Sequence, residues 1–483
     1  MAEVVVDAGS FTPVEDGLRA RDPLGFPGYG EALERARSKT GASDSVAAGP
    51  ATIGGRAVEY AEFSFGFLGG SMGEVAGERL ARAMERAAER GVPFVLRTTT
   101  GGARMQEGMR ALVQMPKVVA SRLALGDAGQ PFIAVFADPT TGGVLASLGA
   151  LADIVVAEGG ATIGFAGPRV AASFLGRPLD GTSHRAETAF AAGLVDEVVE
   201  PGEVAAYLAN VLATLADDEP LELAPPEART EASFVDAWDA VEAARSDERP
   251  HGAELLVDIL DAYVPLHGDR AGGTDPTVDV AIARVAGRRC MVLALDRRRS
   301  PGPSCYRKAQ RAIAIADRLQ IPLVSLVDTP GADPSEDSES QGIAWAIAEL
   351  FAAMLSASVP TLAIVTGEGG SGGALAYAAA DRVLAYEGSI FSVIAPELAA
   401  EILWRDADRG ADAARMLKLT AAQLLDLGIA DAVLSEPMTA DSVRRAIAYH
   451  LADLTNDRID PNGRVNERRQ RWRNIDGWGE AGT

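Results

Sequence analysis

Four short glycine clusters hold the clearest chemical potential in this sequence: Thr100-Gly101-Gly102-Ala103, Thr141-Gly142-Gly143, Thr329-Pro330-Gly331-Ala332 and Gly367-Glu368-Gly369-Gly370-Ser371-Gly372-Gly373-Ala374. Each follows an apolar run of strand type and leads into a small-residue segment of helical type. Where a strand ends in glycine and a helix begins at once, consecutive main-chain N–H groups project at a positive helix terminus, and the missing Cβ atoms let a ligand come close. Such a place stabilises an anion. Two of these turns on adjacent strands can converge on one oxygen as an oxyanion hole made of main chain, which suits enolate chemistry at a thioester. A lone glycine pair is equally well explained by a tight turn, but four clusters at matched places are not.

Two other patterns overlap the last cluster. Residues 367–373 fit the dinucleotide fingerprint G-x-G-x-x-G, but no clear acidic residue follows about 20 positions on, and the motif lies late in its domain. The same stretch reads G-x-S-x-G around Ser371, a nucleophile-elbow pattern that His450 and an intervening Asp could complete, so a serine hydrolase is the rival reading of another class. A non-catalytic binding scaffold is a third. The four histidines, His184, His251, His267 and His450, have no metal-ligand spacing, and Cys290 with Cys305 falls short of a four-ligand zinc site. No metal site is expected. With few histidines and no credible carboxylate pair, the chemistry is expected from backbone dipoles and a base carried on the substrate.

The elements that must position these clusters repeat. Residues 69–170 laid beside 306–403 show an Ala- and Arg-rich helical segment, then a proline-led strand at Pro93 and Pro322, a glycine turn, a second helix, and another proline-led strand at Pro131 and Pro360. Thr141-Gly142-Gly143 then stands beside Ser371-Gly372-Gly373, and both copies go on to strands at Asp153 and Asp381 and to glycines at 193 and 428. An internal duplication follows. The expected organisation is an N-terminal arm over 1–48, a first domain over 49–216, a linker with one short helix over 217–250, a second domain over 251–455 and a tail over 456–483.

At 483 residues, with 47% hydrophobic and 23% charged residues, the chain is long enough for two real cores. Its net charge of −23 argues against a nucleic-acid partner, since phosphate binding is built on Lys and Arg. The first residues show no basic signal-peptide region, and the long uncharged run over 350–367 contains Pro360 and reads as a helix-to-strand switch, so no membrane segment is expected. A reducing cytoplasm fits the two cysteines.

At these motifs the sequence resembles the carboxyltransferase component of biotin-dependent acyl-CoA carboxylases, a beta-type subunit fused ahead of an alpha-type one. The likeness spans almost the whole chain. Gly69-Gly-Ser-Met-Gly-Glu-Val-Ala-Gly77, Gly101-Gly-Ala-Arg-Met-Gln-Glu-Gly108, Asp138-Pro-Thr-Thr-Gly-Gly143 and Ile163-Gly-Phe-Ala-Gly-Pro-Arg169 resemble the beta type. His267-Gly-Asp-Arg270, Tyr306-Arg-Lys-Ala309, Asp328-Thr-Pro-Gly331, 367–374 and Ile402-Leu-Trp404 resemble the alpha type.

The resemblance implies an α/β fold of two crotonase-like (ClpP/crotonase) domains of repeated ββα units. It implies a homodimer or larger homo-oligomer, with active sites between the first domain of one chain and the second domain of another. By the same likeness, Gly101, Gly102, Gly142 and Gly143 would hold the acyl-CoA thioester oxygen. Gly331, Gly372, Gly373 and Ala374 would hold the biotin ureido oxygen. The ureido group itself would take the α-proton, so no side-chain base is needed. Ser71, Met72 and Gly73 at a helix start, with Arg104, are the candidates for the CoA phosphates. Arg297-Arg-Arg299 and Arg307-Lys308 could meet CoA or an acidic carrier, or form a solvated face.

The sequence also departs from the family pattern. The four-cysteine zinc ribbon common in beta-type subunits is absent, so no zinc is expected, and Ser335–Gly342 looks closer to propionyl-type enzymes. No biotin-attachment lysine and no ATP-binding carboxylase segment are evident. A separate biotin carboxyl carrier protein and a biotin carboxylase are therefore expected partners. The expected reaction carries a carboxyl group from carboxybiotin to acetyl-CoA or another short acyl-CoA, giving malonyl-CoA. A biotin-dependent malonyl-thioester decarboxylase or transcarboxylase is the alternative within the fold.

Overall fold

The computed structural model describes residues 5–179, 181–229, 236–456 and 459–475. It divides into two compact units, Met1–Ala213 with Arg270–Gly272, and Thr214–Asp269 with Gly273–Thr483.

In the first unit, strands β1 (Val46–Ile53) and β2 (Arg56–Phe63) form an antiparallel hairpin. Parallel strands β3 (Phe94–Thr100), β4 (Phe132–Thr141), β5 (Ile154–Glu158) and β7 (Glu197–Val199) follow in that order, and β6 (Ile163–Gly164) pairs with the end of β4. The helix Glu74–Arg90 buries Ala76, Gly77, Leu80, Ala83, Met84 and Ala87, the 3–4 spacing of one face, and an αL Gly91 stops it. That face joins Phe94, Leu96, Phe132 and Ala134 in one core.

The second unit repeats the plan. Strands β10 (Val278–Val285) and β11 (Arg288–Leu295) are antiparallel. Parallel to β11 run β12 (Leu323–Thr329), β13 (Thr361–Gly370), β14 (Arg382–Tyr386) and β16 (Ala432–Leu434). Edge strands β8 (Ala228–Arg229) and β9 (Ala262–Pro265) flank the sheet, and β15 (Ile390–Ser392) pairs with the end of β13. Every residue of β12 and β13 is buried, as expected for central parallel strands covered on both faces.

The arm, the linker helix and the tail, expected to lie outside the two domains, pack into the compact units. Of the arm, Ala20, Tyr29, Leu33 and Ala36 form a buried cluster with Phe67, and β1 begins inside it. Of the linker, whose residues 230–235 lie outside the described residues, the helix Ala237–Arg245 buries Ala237, Ala240, Val241 and Ala244 against Ile390, Ala414 and Leu419. Of the tail, whose residues 457–458 and 476–483 lie outside them, the helix Pro461–Asn474 sinks Arg468 into the second unit. There Arg468 pairs with Asp381 and donates to the carbonyls of Met354, Ala357 and Val359.

Candidate active site

In the first unit the two glycine turns touch. β3 and β4 run in register to Thr98 and Phe136, then shift, so that Thr100 pairs with Thr140 and the strand ends separate. Gly102 has φ +106° and Gly142 φ +72°; a Cβ on Gly102 would lie 3.0 Å from Gly142 Cα, and one on Gly142 2.7 Å from Gly102 Cα. Only glycine fits at both.

Of the four expected donors, three are spent within the protein and Gly143 is not. The amide of Gly101 donates to Gly69 O (2.9 Å), that of Gly102 to Thr100 Oγ1 (3.0 Å) and that of Gly142 to Phe165 O (2.9 Å). Among the described residues, the amides of Ala103 and Gly143 have no acceptor. Gly143 starts the helix Gly142–Ser147, and a Cβ there would lie 3.8 Å from Ala103 N. The outward pair is therefore Ala103 with Gly143, while Gly101, Gly102 and Gly142 shape the turn that presents it.

The second unit has the same construction displaced by 229 residues. Gly331 has φ +119° and donates to Thr329 Oγ1 at 3.3 Å, as Gly102 does to Thr100. Its Cβ would lie 3.2 Å from Gly370 O. At the head of the helix Ser371–Ala378, Ser371 has φ +61° and occupies the place of Gly142, so Gly143 corresponds to Gly372. This corrects by one residue the pairing of Gly142-Gly143 with Gly372-Gly373. The amides of Ala332, Gly372, Gly373 and Ala374 have no acceptor among the described residues. Gly373 is buried, with a Cβ position 2.9 Å from Ala332 N and 2.6 Å from Tyr306 Oη, and Ala374 is buried behind it.

The expected phosphate site is already filled by the protein. The head of the Glu74–Arg90 helix is closed by the buried Glu107 carboxylate, which accepts from Glu74 N at 2.6 Å and leaves no room for a Cβ on Gly73. Arg104 is wholly buried. Its guanidinium forks onto Asp44 (2.9 Å twice), reaches Glu107 (3.1 Å) and Ser71 Oγ (3.1 Å), and donates to Ser71 O (2.7 Å). Burial alone would lower its pKa, and the hydrogen-bonded Asp44 carboxylate more than reverses that. Met72 is buried too, its main chain bridging Gly102 O and Arg104 N. Within the first unit these residues brace the turn and present no free cation to a phosphate.

Nor is a catalytic triad assembled. Ser371 is exposed, and no hydrogen bond joins it to a histidine among the described residues. His450 Nδ1 lies 3.1 Å from Arg382 Nη1, and burial followed by that guanidinium pushes its pKa down to about 4. Both cysteines are buried, their thiols pushed up to about 12 by desolvation. No described helix is long and apolar enough to cross a membrane.

A family profile described as acetyl co-enzyme A carboxylase carboxyltransferase-like matches residues 226–476. The acetyl-coenzyme A carboxylase carboxyl transferase subunits beta/alpha of Salinispora arenicola are 42% identical over 93% of this chain and 86% of that protein. This chain belongs to the biotin-dependent acyl-CoA carboxyltransferases. A probable biotin-dependent acyl-coenzyme A carboxylase beta3 subunit of Mycobacterium bovis is 35% identical over 98% of the chain and 97% of that protein. Among solved structures, the transcarboxylase 12S hexamer with methylmalonyl-coenzyme A and methylmalonic acid bound is similar at TM-score 0.77 and 26% identity, covering 95% of this carboxyltransferase and 89% of that chain. The architecture is α/β, crotonase- and transcarboxylase-like, with internal repeats. Carboxyl transfer from a biotin carrier to an acyl-CoA is the activity of this carboxyltransferase.

Proposed function

We propose that the acceptor is acetyl-CoA and the product malonyl-CoA, in service of fatty-acid synthesis in the cytoplasm, as the name of the Salinispora relative suggests. In this reading the two units are halves of one duplicated module, beta-type over 49–216 and alpha-type over 251–455 with their flanking segments, and each half contributes one donor pair. Ala103 and Gly143, presented by Gly101, Gly102 and Gly142, hold the thioester oxygen as negative charge develops on it. Ala332 and Gly372, backed by Gly331, Gly373 and Ala374, hold the ureido oxygen of biotin.

What supports this is the pattern of spent and free amides. In each unit the glycine of left-handed φ is tied to a threonine hydroxyl, while the next amide and the second helix amide are left without an acceptor. Such donors, fixed before substrate arrives, favour the charged transition state over the neutral ground state. In this reading each pair takes one carbonyl oxygen. When bound, carboxylated biotin supplies the carboxyl group and the base. The chain's residues supply orientation, charge stabilisation and closeness.

Biotin would arrive on a separate carrier protein charged by a separate carboxylase, no zinc would be needed, and a homodimer or larger homo-oligomer would bring a first-unit and a second-unit turn from neighbouring subunits to one substrate pair. The test is labelled carboxyl exchange between malonyl-CoA or methylmalonyl-CoA and free biotin. Faster exchange from malonyl-CoA is expected; preference for methylmalonyl-CoA would overturn the acetyl assignment, and net loss of label as CO2 without return to a thioester would favour the decarboxylase alternative.

A further inference from the structure

The segment 237–251, by composition a connector, grips the strand that delivers the second unit's free amide. Arg245, the last residue of its helix, forks onto Glu368 (Nε to Oε2 2.8 Å, Nη2 to Oε1 2.7 Å) and spends its remaining nitrogen on Glu397 (2.6 Å). Arg249 Nε donates to Thr366 O at 2.6 Å. His251 Nδ1 lies 3.6 Å from Asp328 Oδ2, and Asp328 Oδ1 accepts the amide of Glu368 at 3.0 Å. The segment is itself held, since Arg297 donates to Ala244 O and Ser246 O at 2.5 Å each.

Glu368 lies four residues before Gly372, and the main chain between them has no slack. A Cβ on Gly369 would lie 2.4 Å from Phe391, and one on Gly370 2.1 Å from Pro330 O. Packed this closely, the run moves as one piece, so a shift of the Glu368 carboxylate is passed on to the Gly372 amide. A planar guanidinium that forks onto a carboxylate fixes orientation as well as distance, which a lysine ammonium does not.

We infer that Arg245 and Glu368 are positioning residues for the transfer, setting where the Gly372 amide stands. This rests on the reading that the second unit's amides serve biotin. The full chain is assayed for carboxyl exchange between malonyl-CoA and free biotin, as wild type and as Arg245→Ala, Arg245→Lys and Glu368→Gln. Arg245→Ala is expected to lower kcat about tenfold or more and to raise KM for biotin with KM for malonyl-CoA unmoved, because misplacements within an ångström already cost that much. Arg245→Lys should recover part of the kcat, and Glu368→Gln should fall with Arg245→Ala.

Should Arg245→Ala and Arg245→Lys only lower the melting temperature, with kcat and biotin KM unchanged per folded molecule, the positioning role is wrong. Where Arg245→Ala instead raises KM for malonyl-CoA and spares that for biotin, the assignment of the second unit to biotin fails. Absence of exchange in the wild type would overturn the functional reading itself.

Discussion

Gly102 and Gly331 share a backbone conformation and a threonine acceptor, yet their surroundings differ in kind. Around the first turn the partners are neutral hydroxyls: Thr98 Oγ1 meets Thr140 Oγ1 at 2.7 Å, and Thr141 Oγ1 donates to Thr100 O at 3.2 Å. Charge enters only one step farther on, where Arg104 is sealed between Asp44 and Glu107. Beside the second turn charge is immediate, with Asp328 buried against Gly367 and Glu368 clamped by Arg245. The same donor geometry can thus be held by hydroxyls or by ion pairs. The second kind costs more desolvation and fixes direction more firmly.

Breaking the sealed pair is the harshest test of that contrast. Arg104→Met should destabilise the first unit by about 3–5 kcal/mol, because it leaves two carboxylates buried without a counter-charge, and urea unfolding reads the loss. Next in size is Gly372→Val. That position has open space around it, so the chain should fold normally, while the added side chain displaces the ligand from the amide and exchange falls on the order of a hundredfold. Substitution at Gly102 or Gly373 cannot separate activity from folding so cleanly, because a Cβ at either lies within about 3 Å of its neighbours.

Asp328 separates the two turns by their response to pH. Desolvation raises its pKa to about 6 against the backbone bond from Glu368 and the nearby Arg297 and His251. The folded chain then holds a proton that the unfolded chain has released, so this group's contribution falls as pH rises from about 4 to about 6 and stays lost above. Asp328→Asn should remove that slope, adding about 2–3 kcal/mol at neutral pH in unfolding measurements made across that window. The smallest effect makes the two turns more alike. Ser371→Gly places at φ +61° the residue type the first unit has there, and should add about 1 kcal/mol while exchange stays within a few-fold. A hydrolase relying on Ser371 would instead lose all turnover.

The repeats were legible because glycine, proline and β-branched runs punctuate the chain at fixed distance, and those signals are local. The one-residue slip in matching Gly143 arose because Ser371 adopts a left-handed φ that its residue type does not announce. Which amides are free was legible in part, for Gly143 and Gly372 but not for Ala103 and Ala332. Gly69 O and Phe165 O take up the amides of Gly101 and Gly142 from elsewhere in the fold, and a glycine pair carries no sign of them. Arg104 looked like a phosphate ligand because charge is written in the sequence and burial is not. The acidic, proline-rich composition around 217–250 left room for one short helix but gave no sign that its alanines are core.

The flanking segments bear on how the molecule can be divided. A fragment starting at residue 49 would discard Tyr29 and Asp44 and strand Arg104 in a dry interior, and one starting at residue 252 would discard Arg245 and Arg249. Halves produced as separate polypeptides should instead be cut between Ala213 and Thr214, which leaves of the first unit only Arg270–Gly272 on the second piece. Each piece then keeps its own brace.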